Sequence, residues 1–111
     1  MKTLLVYVTV PDREQAELIA GTLVEKHLAA CCNIIPGISS IYYWQGRVHS
    51  DSELLLLIKT TSEKYELLEK EILALHSYDV PEVIAVNIAA GSEKYIKWIQ
   101  QTVEESDESN S

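Results

Sequence analysis

The 111-residue sequence has few of the residues on which common catalytic motifs depend. It contains only four glycines, and none of them forms the Gly-rich loop that holds a phosphate or a dinucleotide. It also has no GxSxG and no HExxH sequence, the signatures of serine-hydrolase elbows and of zinc peptidases. We therefore expect a protein that is not an enzyme.

Positive charge and long apolar runs are also scarce. Nine Lys and Arg face seventeen Asp and Glu, for a net charge of −8, so the lysines and arginines that neutralise nucleic-acid phosphates are lacking. No apolar run approaches the roughly 20 residues that span a bilayer. The apolar start is followed at once by Asp12-Arg13-Glu14, which indicates a first strand rather than a signal peptide. We expect a cytoplasmic protein without a nucleic-acid or membrane partner.

Cysteine is limited to two adjacent residues, Cys31 and Cys32. Neighbouring residues of a strand point to opposite faces, so these two are poor disulfide partners. Free thiols are typical of a reducing compartment. The sequence has no CxxC and no cysteine–histidine array with zinc-finger spacing.

Hydrophobic periodicity predicts an α+β fold with the order β-α-β-β-α-β and a terminal helix. The central strands form one long hairpin, and the order matches the ferredoxin-like arrangement of two split βαβ units. We expect one domain over residues 1–103 and a disordered acidic tail over residues 104–111. Strands are predicted at residues 3–10, 30–44, 48–60 and 80–89, and helices at 13–27, 63–75 and 93–103.

Local signals mark the ends of these elements. Asp12 is the predicted N-cap of the first helix, with Gln15 placed to complete a capping box, and Ser62 is the predicted cap of the second helix. Pro36-Gly37 predicts a bulge in the hairpin, and Gln45-Gly46 predicts its turn.

The predicted strands are apolar on both faces. Residues 54–58 are five apolar residues in a row, whereas a strand with one wet face alternates apolar and polar residues. Right-handed crossovers place the first two helices on the same face of the sheet. The short third helix cannot cover the second face, which therefore exceeds the apolar patch usual for a monomer. We expect copies of the chain to cover it in a closed symmetric assembly.

Four segments of the sequence together carry a resemblance to a known family. They are Leu28-Ala29-Ala30-Cys31-Cys32-Asn33-Ile34-Ile35-Pro36-Gly37, Ser40-Ile41-Tyr42-Tyr43-Trp44-Gln45-Gly46, Ile58-Lys59-Thr60-Thr61 and His76-Ser77-Tyr78-Asp79-Val80-Pro81-Glu82. These segments resemble the CutA family of divalent-ion-tolerance proteins, and the resemblance extends over essentially the whole chain. The resemblance implies a ferredoxin-like fold, a homotrimer with an architecture similar to that of the PII signalling proteins, and binding of copper or another divalent ion. The number of subunits follows from the resemblance alone.

Cys31 and His76 are the candidate metal ligands, because thiolate and imidazole select copper(I) or zinc. The alternative is a packing role for Cys31 and a helix-end or core role for His76. The sequence departs from the resemblance in two ways. Val8 and Leu75 occupy positions where some bacterial members have proposed metal ligands, and Ser77 replaces the usual proline of the His-Pro-Tyr loop.

A second hypothesis is a PII-like regulatory module that binds a small anionic ligand at subunit clefts. Lys59, Tyr78 and Glu82 are the candidate contacts, and the alternative is a buried polar network that fixes strand register. The aromatic residues predicted at the interface between subunits are Tyr42, Tyr43, Trp44 and Trp98.

Overall fold

The computed structural model describes residues 2–104 of the chain. It has the predicted α+β element order, and α3 ends at Glu104, while the rest of the predicted acidic tail lies outside the described residues. The elements are β1 (Thr3–Val10), α1 (Arg13–Glu25), β2 (Cys31–Trp44), β3 (Arg47–Thr61), α2 (Tyr65–Leu75), β4 (Val83–Asn87) and α3 (Glu93–Glu104).

Within residues 2–104 the strands form one four-stranded sheet with the order β2-β3-β1-β4. Every neighbouring pair is antiparallel. Because β3 lies between β1 and β2, the β1-α1-β2 crossover spans a strand, as the ferredoxin-like arrangement requires. The predicted fold is therefore confirmed.

The main hydrophobic core lies between the sheet and helices α1 and α2. Alternate residues of β1 and β3 point into it, and both helices contribute the apolar stripe predicted from their 3.6-residue period. The fully buried members include Val6, Val8, Ile19, Leu23, Leu56, Ile58, Leu68 and Ile72.

The opposite face of the sheet, which we call the second face, is apolar but incompletely covered. It carries four half-buried residues, Leu5 and Tyr7 of β1 and Leu55 and Leu57 of β3. The two β1 residues pair with exposed residues of β4. Helix α3 covers the end of this face where β2 begins, through Ile99 and Val103 packed near Ala30. Ile84 and Val86 remain 54% and 47% exposed. The prediction of an unsheltered apolar face is thus correct for the isolated chain.

The long hairpin has both predicted irregularities. The β2–β3 register shifts between Ile35 and Ile38, around Pro36-Gly37, and Gly37 has a φ of +77° that favours glycine. Gln45 and Gly46 have φ angles of +51° and +82° and join directly paired strand ends. Positive φ at both central residues is the geometry of the type I′ turn that matches strand twist.

Two local predictions are wrong. Ser62 does not cap α2, which begins at Tyr65; the Ser62 hydroxyl instead donates to the neighbouring Glu63 carboxylate. Strand β4 is shorter than predicted and begins at Val83, because Pro81 has no N–H to donate to a ladder. The Asp12 cap is confirmed, since its carboxylate accepts the Gln15 N–H at 2.8 Å.

The two sides of α1 offer a matched test of the core. Leu23 is fully buried against the sheet, whereas Leu18 on the same helix is 49% exposed. Leu23→Ala should lower the free energy of unfolding by about 2–5 kcal/mol through lost burial and a residual cavity. Leu18→Ala should change it by about 0.5 kcal/mol or less. Urea unfolding at one fixed chain concentration measures both, and equal losses would contradict this packing.

Candidate functional site

A groove of about 520 Å³ opens on the second face, at the end away from α3. One wall is the β2–β3 hairpin, and the other is the loop that connects α2 to β4. Strand β1 contributes to the floor through Thr9. The remaining lining residues are Ser40, Ile41, Tyr42, Trp44, Glu53, Tyr78, Asp79, Val80 and Glu82.

Two tyrosine–carboxylate pairs organise the groove and its rim. The Tyr78 hydroxyl donates to the buried Glu53 carboxylate at 2.7 Å, and the Tyr42 hydroxyl donates to Asp51 across the hairpin. Burial and the bond to Glu53 raise the pKa of Tyr78, and the bond to Asp51 raises the pKa of Tyr42. Both phenols therefore remain neutral hydrogen-bond donors at physiological pH.

His76 fixes the start of the α2–β4 loop. Its Nε2 lies 2.8 Å from the Thr9 carbonyl oxygen, and its Nδ1 lies 3.1 Å from the Tyr78 backbone nitrogen. The carbonyl accepts only from a protonated Nε2, and the Tyr78 N–H needs an unprotonated Nδ1, so these bonds assign the neutral Nε2–H tautomer. The ring is buried and tilted against the Tyr78 ring at 4.7 Å. Both ring nitrogens are therefore engaged within the chain.

The Gln15 side chain holds the same loop from α1. Its Oε1 accepts the Ser77 N–H at 2.8 Å, and its Nε2 donates to the Leu75 carbonyl at 3.4 Å. Gln15 thus bonds to the end of α2 and to the loop that follows it. The sequence had instead predicted a capping-box bond from Gln15 to the start of its own helix. A proline at position 77, as in the family pattern, would have no N–H to offer. The Gln15–Ser77 bond accordingly restrains this loop by a different means.

Cys31 lies on the second face, at the end away from the groove. Its thiol is 4.0 Å from the Lys59 Nζ, and the Tyr95 side chain of α3 lies near it. Burial and the neighbouring Cys31 raise the pKa of Tyr95. Cys32 points to the opposite face and packs against the main core. Burial, with a smaller contribution from Cys31, raises the pKa of Cys32 to about 12, which keeps it a thiol.

The two predicted metal ligands are far apart within one chain. Cys31 pairs with Lys59 and so with Leu5 of β1, whereas His76 contacts Thr9, four residues along the same strand. Four strand residues correspond to about 13 Å. Over residues 2–104, no group of three or more His, Cys, Asp or Glu side chains is placed to hold a metal ion.

The predicted anion contacts are also divided. Tyr78 and Glu82 line the groove, but Lys59 lies near Cys31, where its ammonium contacts the Asn33 side chain. Six strand residues separate Lys59 from Glu53, the partner of Tyr78, which is roughly 20 Å. Within one chain these three residues do not form one site.

The predicted interface aromatics are all exposed in the isolated chain. Tyr42 and Trp44 face the groove, and Trp98 packs beside Tyr95 with ring centroids 5.5 Å apart. Tyr43 alternates to the other side of the hairpin and pairs with Val48. Their role at an interface stays a prediction.

Glu53 and the bridging role of Gln15 were not predicted from the sequence. Glu53 directly precedes the apolar run of β3, and a carboxylate at the edge of a buried segment is the signal that could have identified it. No comparable signal existed for Gln15, because its partners lie about 60 positions away in the sequence.

The fold is that of a ferredoxin-like protein. Its candidate functional groups lie on the second face of the sheet, with the groove at one end and Cys31 at the other. Residues 4–102 match the family model described as CutA1 divalent ion tolerance protein. In the described residues, no helix is long and apolar enough to cross a membrane. The chain belongs to the CutA1 family.

Curated relatives agree with this assignment. The chain is 51% identical over 100 residues to the chloroplastic protein CutA of Arabidopsis thaliana, covering 90% of this chain and 55% of that protein. It is 50% identical over 97 residues to the divalent-cation tolerance protein CutA of Thermus thermophilus, covering 87% of this chain and 94% of that protein. The chain thus spans little more than half the length of the plant relatives and nearly all of the bacterial one.

Solved structures agree as well. The Cut A1 protein of Thermus thermophilus superposes with a TM-score of 0.88 at 49% identity, covering 90% of this chain and 97% of the other. CutA1 of Oryza sativa superposes with a TM-score of 0.89 at 45% identity, covering 92% and 94% of the two chains.

The Gln15–Ser77 bond can be tested with a double-mutant cycle. Gln15→Ala removes two hydrogen bonds and should lower the free energy of unfolding by about 1–2 kcal/mol. It should also speed amide exchange at Ser77. In a Ser77→Pro background the Gln15→Ala cost should shrink, because the Ser77 N–H is already absent.

Gln101→Ala, at an exposed position of α3, is the control and should leave stability nearly unchanged. The same Gln15→Ala cost in both backgrounds would show that Gln15 does not act through Ser77.

Proposed function

We propose that this chain works as a cytoplasmic homotrimer that binds a divalent metal ion or copper, with Cys31 as a ligand at a boundary between subunits. The observation that carries the proposal is the position of Cys31. Its thiol lies on the second face, at the end that α3 partly covers, next to the apolar surface that copies of the chain would shelter. The names of curated relatives, which include divalent-cation tolerance proteins, support a link to metal ions.

Self-association follows from the energetics of the second face. Its apolar side chains extend from β3 across β1 to the exposed Ile84 and Val86 of β4. Burying such surface is worth roughly 25 cal/mol per Å², and monomers rarely leave large contiguous patches in water. Strands β2 and β4 are sheet edges with backbone groups open to pairing. A closed symmetric assembly satisfies both needs, and the family resemblance sets the number at three.

Metal binding at the boundary between subunits would depend on the Cys31 thiolate. A thiolate is a soft ligand suited to copper(I), and one chain offers too few ligands for a complete site within its described residues. Symmetry-related copies would supply the others. His76 joins such a site only by giving up the Tyr78 N–H from its Nδ1.

Sedimentation tests the assembly. The wild-type chain should sediment at three times the subunit mass at micromolar concentration. Ile84→Glu places a charge in the proposed interface and should shift the protein toward single subunits. Leu73→Glu is the matched control, because Leu73 is 52% exposed on α2, and it should leave the mass unchanged. A folded wild-type monomer would overturn the proposal.

Copper titration tests the ligand. Cys31→Ser should weaken copper(I) binding by more than about tenfold, since even changes outside the ligand shell cost that much. Cys32→Ala, which changes the neighbouring thiol on the core side, should bind as wild type does. His76→Ala decides whether the histidine takes part: unchanged affinity assigns it to the loop alone. Equal affinity of wild type and Cys31→Ser would reject Cys31 as a ligand.

A further inference from the structure

His27 follows the end of α1 in a backbone conformation that usually belongs to glycine. Its φ is +59°, in the left-handed region. Its N–H donates to the Val24 carbonyl at 3.1 Å, and the next N–H, of Leu28, donates to the Leu23 carbonyl at 2.9 Å. These two bonds define a Schellman motif, whose left-handed residue is most often glycine. Because a β-carbon makes this conformation costly, local backbone preferences do not explain a histidine here.

The imidazole of His27 makes a contact that glycine could not make. Its Nδ1 lies 2.8 Å from the backbone carbonyl oxygen of Thr102, in the last turn of α3. A carbonyl oxygen only accepts, so this bond assigns a proton to Nδ1. The last four carbonyls of a helix have no partner within the helix, and a histidine side chain can satisfy one of them. His27 thus joins the end of α1 to the end of α3.

Helix α3 is attached to the sheet by a small apolar cluster. Its buried residues are Ile99 and Val103, which pack with Ala30 in a cluster separate from the main core. The Glu93–Lys97 ion pair joins two exposed residues of the same helix and does not attach it to the sheet. Segments with few buried apolar contacts open locally at a lower free energy than the whole domain unfolds. One hydrogen bond at the end of α3 therefore matters for keeping this helix closed.

We propose that His27 is a latch for α3, and that its bond to Thr102 sets how readily α3 opens from the second face. The left-handed backbone brings the imidazole within bonding distance of α3, and the bond offsets the cost of that conformation. Opening would remove α3 from the end of the second face at which Cys31 lies. The latch lies within one chain, so it rests neither on the number of subunits nor on metal binding.

Native-state amide hydrogen exchange of the full chain tests the latch, with all variants at the same chain concentration. His27→Gly keeps the left-handed turn and removes the imidazole. The Val103 and Glu104 amides of α3 should then exchange about threefold to tenfold faster, as one lost hydrogen bond predicts. The Ile58 amide of β3 reports opening of the main core and should change little. When the end of α1 unfolds as well, relief of the strained backbone offsets the lost bond.

A second variant, a control and a spectroscopic readout accompany this comparison. His27→Asn suits the left-handed conformation but has a shorter side chain, and it should speed α3 exchange as His27→Gly does. Glu25→Ala, at an exposed position in the last turn of α1, is the control and should leave α3 exchange unchanged. NMR of the wild-type His27 ring should show the Nδ1–H tautomer at about pH 8, where an ordinary imidazole is neutral.

Four results would overturn the latch. The first is unchanged α3 exchange in His27→Gly, and the second is equal acceleration at Val103 and Ile58, which would place the effect on the whole domain. The third is the Nε2–H tautomer, whose Nδ1 could not donate to Thr102. The fourth is faster α3 exchange accompanied by a changed sedimented mass, which would assign His27 to contact between copies. Should His27→Gly fail to fold, His27→Asn gives the same comparison. Copper affinity is measured separately, so failure here leaves the proposed function unaffected.

Discussion

The unequal covering of the two sheet faces is the constraint from which the other features of this molecule follow. Helices α1 and α2 cover one face, where Leu56 and Ile58 of β3 are fully inaccessible to solvent. The chain has one further helix within residues 2–104 for the other face, and α3 occupies only one end. A sheet that is apolar on both sides is stable in water only when both sides are covered. The second face is therefore the surface on which contact with another molecule is expected.

Strand β3 shows how that face is divided. Its residues on the second face run from Glu53 through Leu55 and Leu57 to Lys59. An acidic end and a basic end therefore flank an apolar centre. Burying the apolar centre against another surface costs little desolvation free energy. The charged groups at the two ends can be buried only with specific partners. This arrangement separates the surroundings of Cys31 from the groove around Glu53 by most of the strand's length.

Sequence periodicity predicted the elements because it reports which side of each strand and helix is buried, and burial dominates the fold. The bulge at Pro36-Gly37 and the turn at Gln45-Gly46 were predictable for a similar reason, since both depend on the backbone preferences of the residues themselves. Ser62 and Gln15 were misjudged because capping is a competition: the Gln15 side chain found partners at Leu75 and Ser77 that only the tertiary fold brings near.

The distance between Cys31 and His76 could not be predicted for the same reason. A metal site depends on the distances between side chains, whereas the sequence shows only which residue types are present. Yet the loop that carries His76 is tied to the core on one side and to the groove on the other. The imidazole donates to Thr9 and accepts from Tyr78, and Tyr78 in turn donates to Glu53. Hydrogen bonds at the backbone and at the hydroxyl of Tyr78 thus connect β1, through His76, to the buried carboxylate. The position of this phenolic partner of Glu53 is consequently set by the sheet, which fixes the shape of the groove.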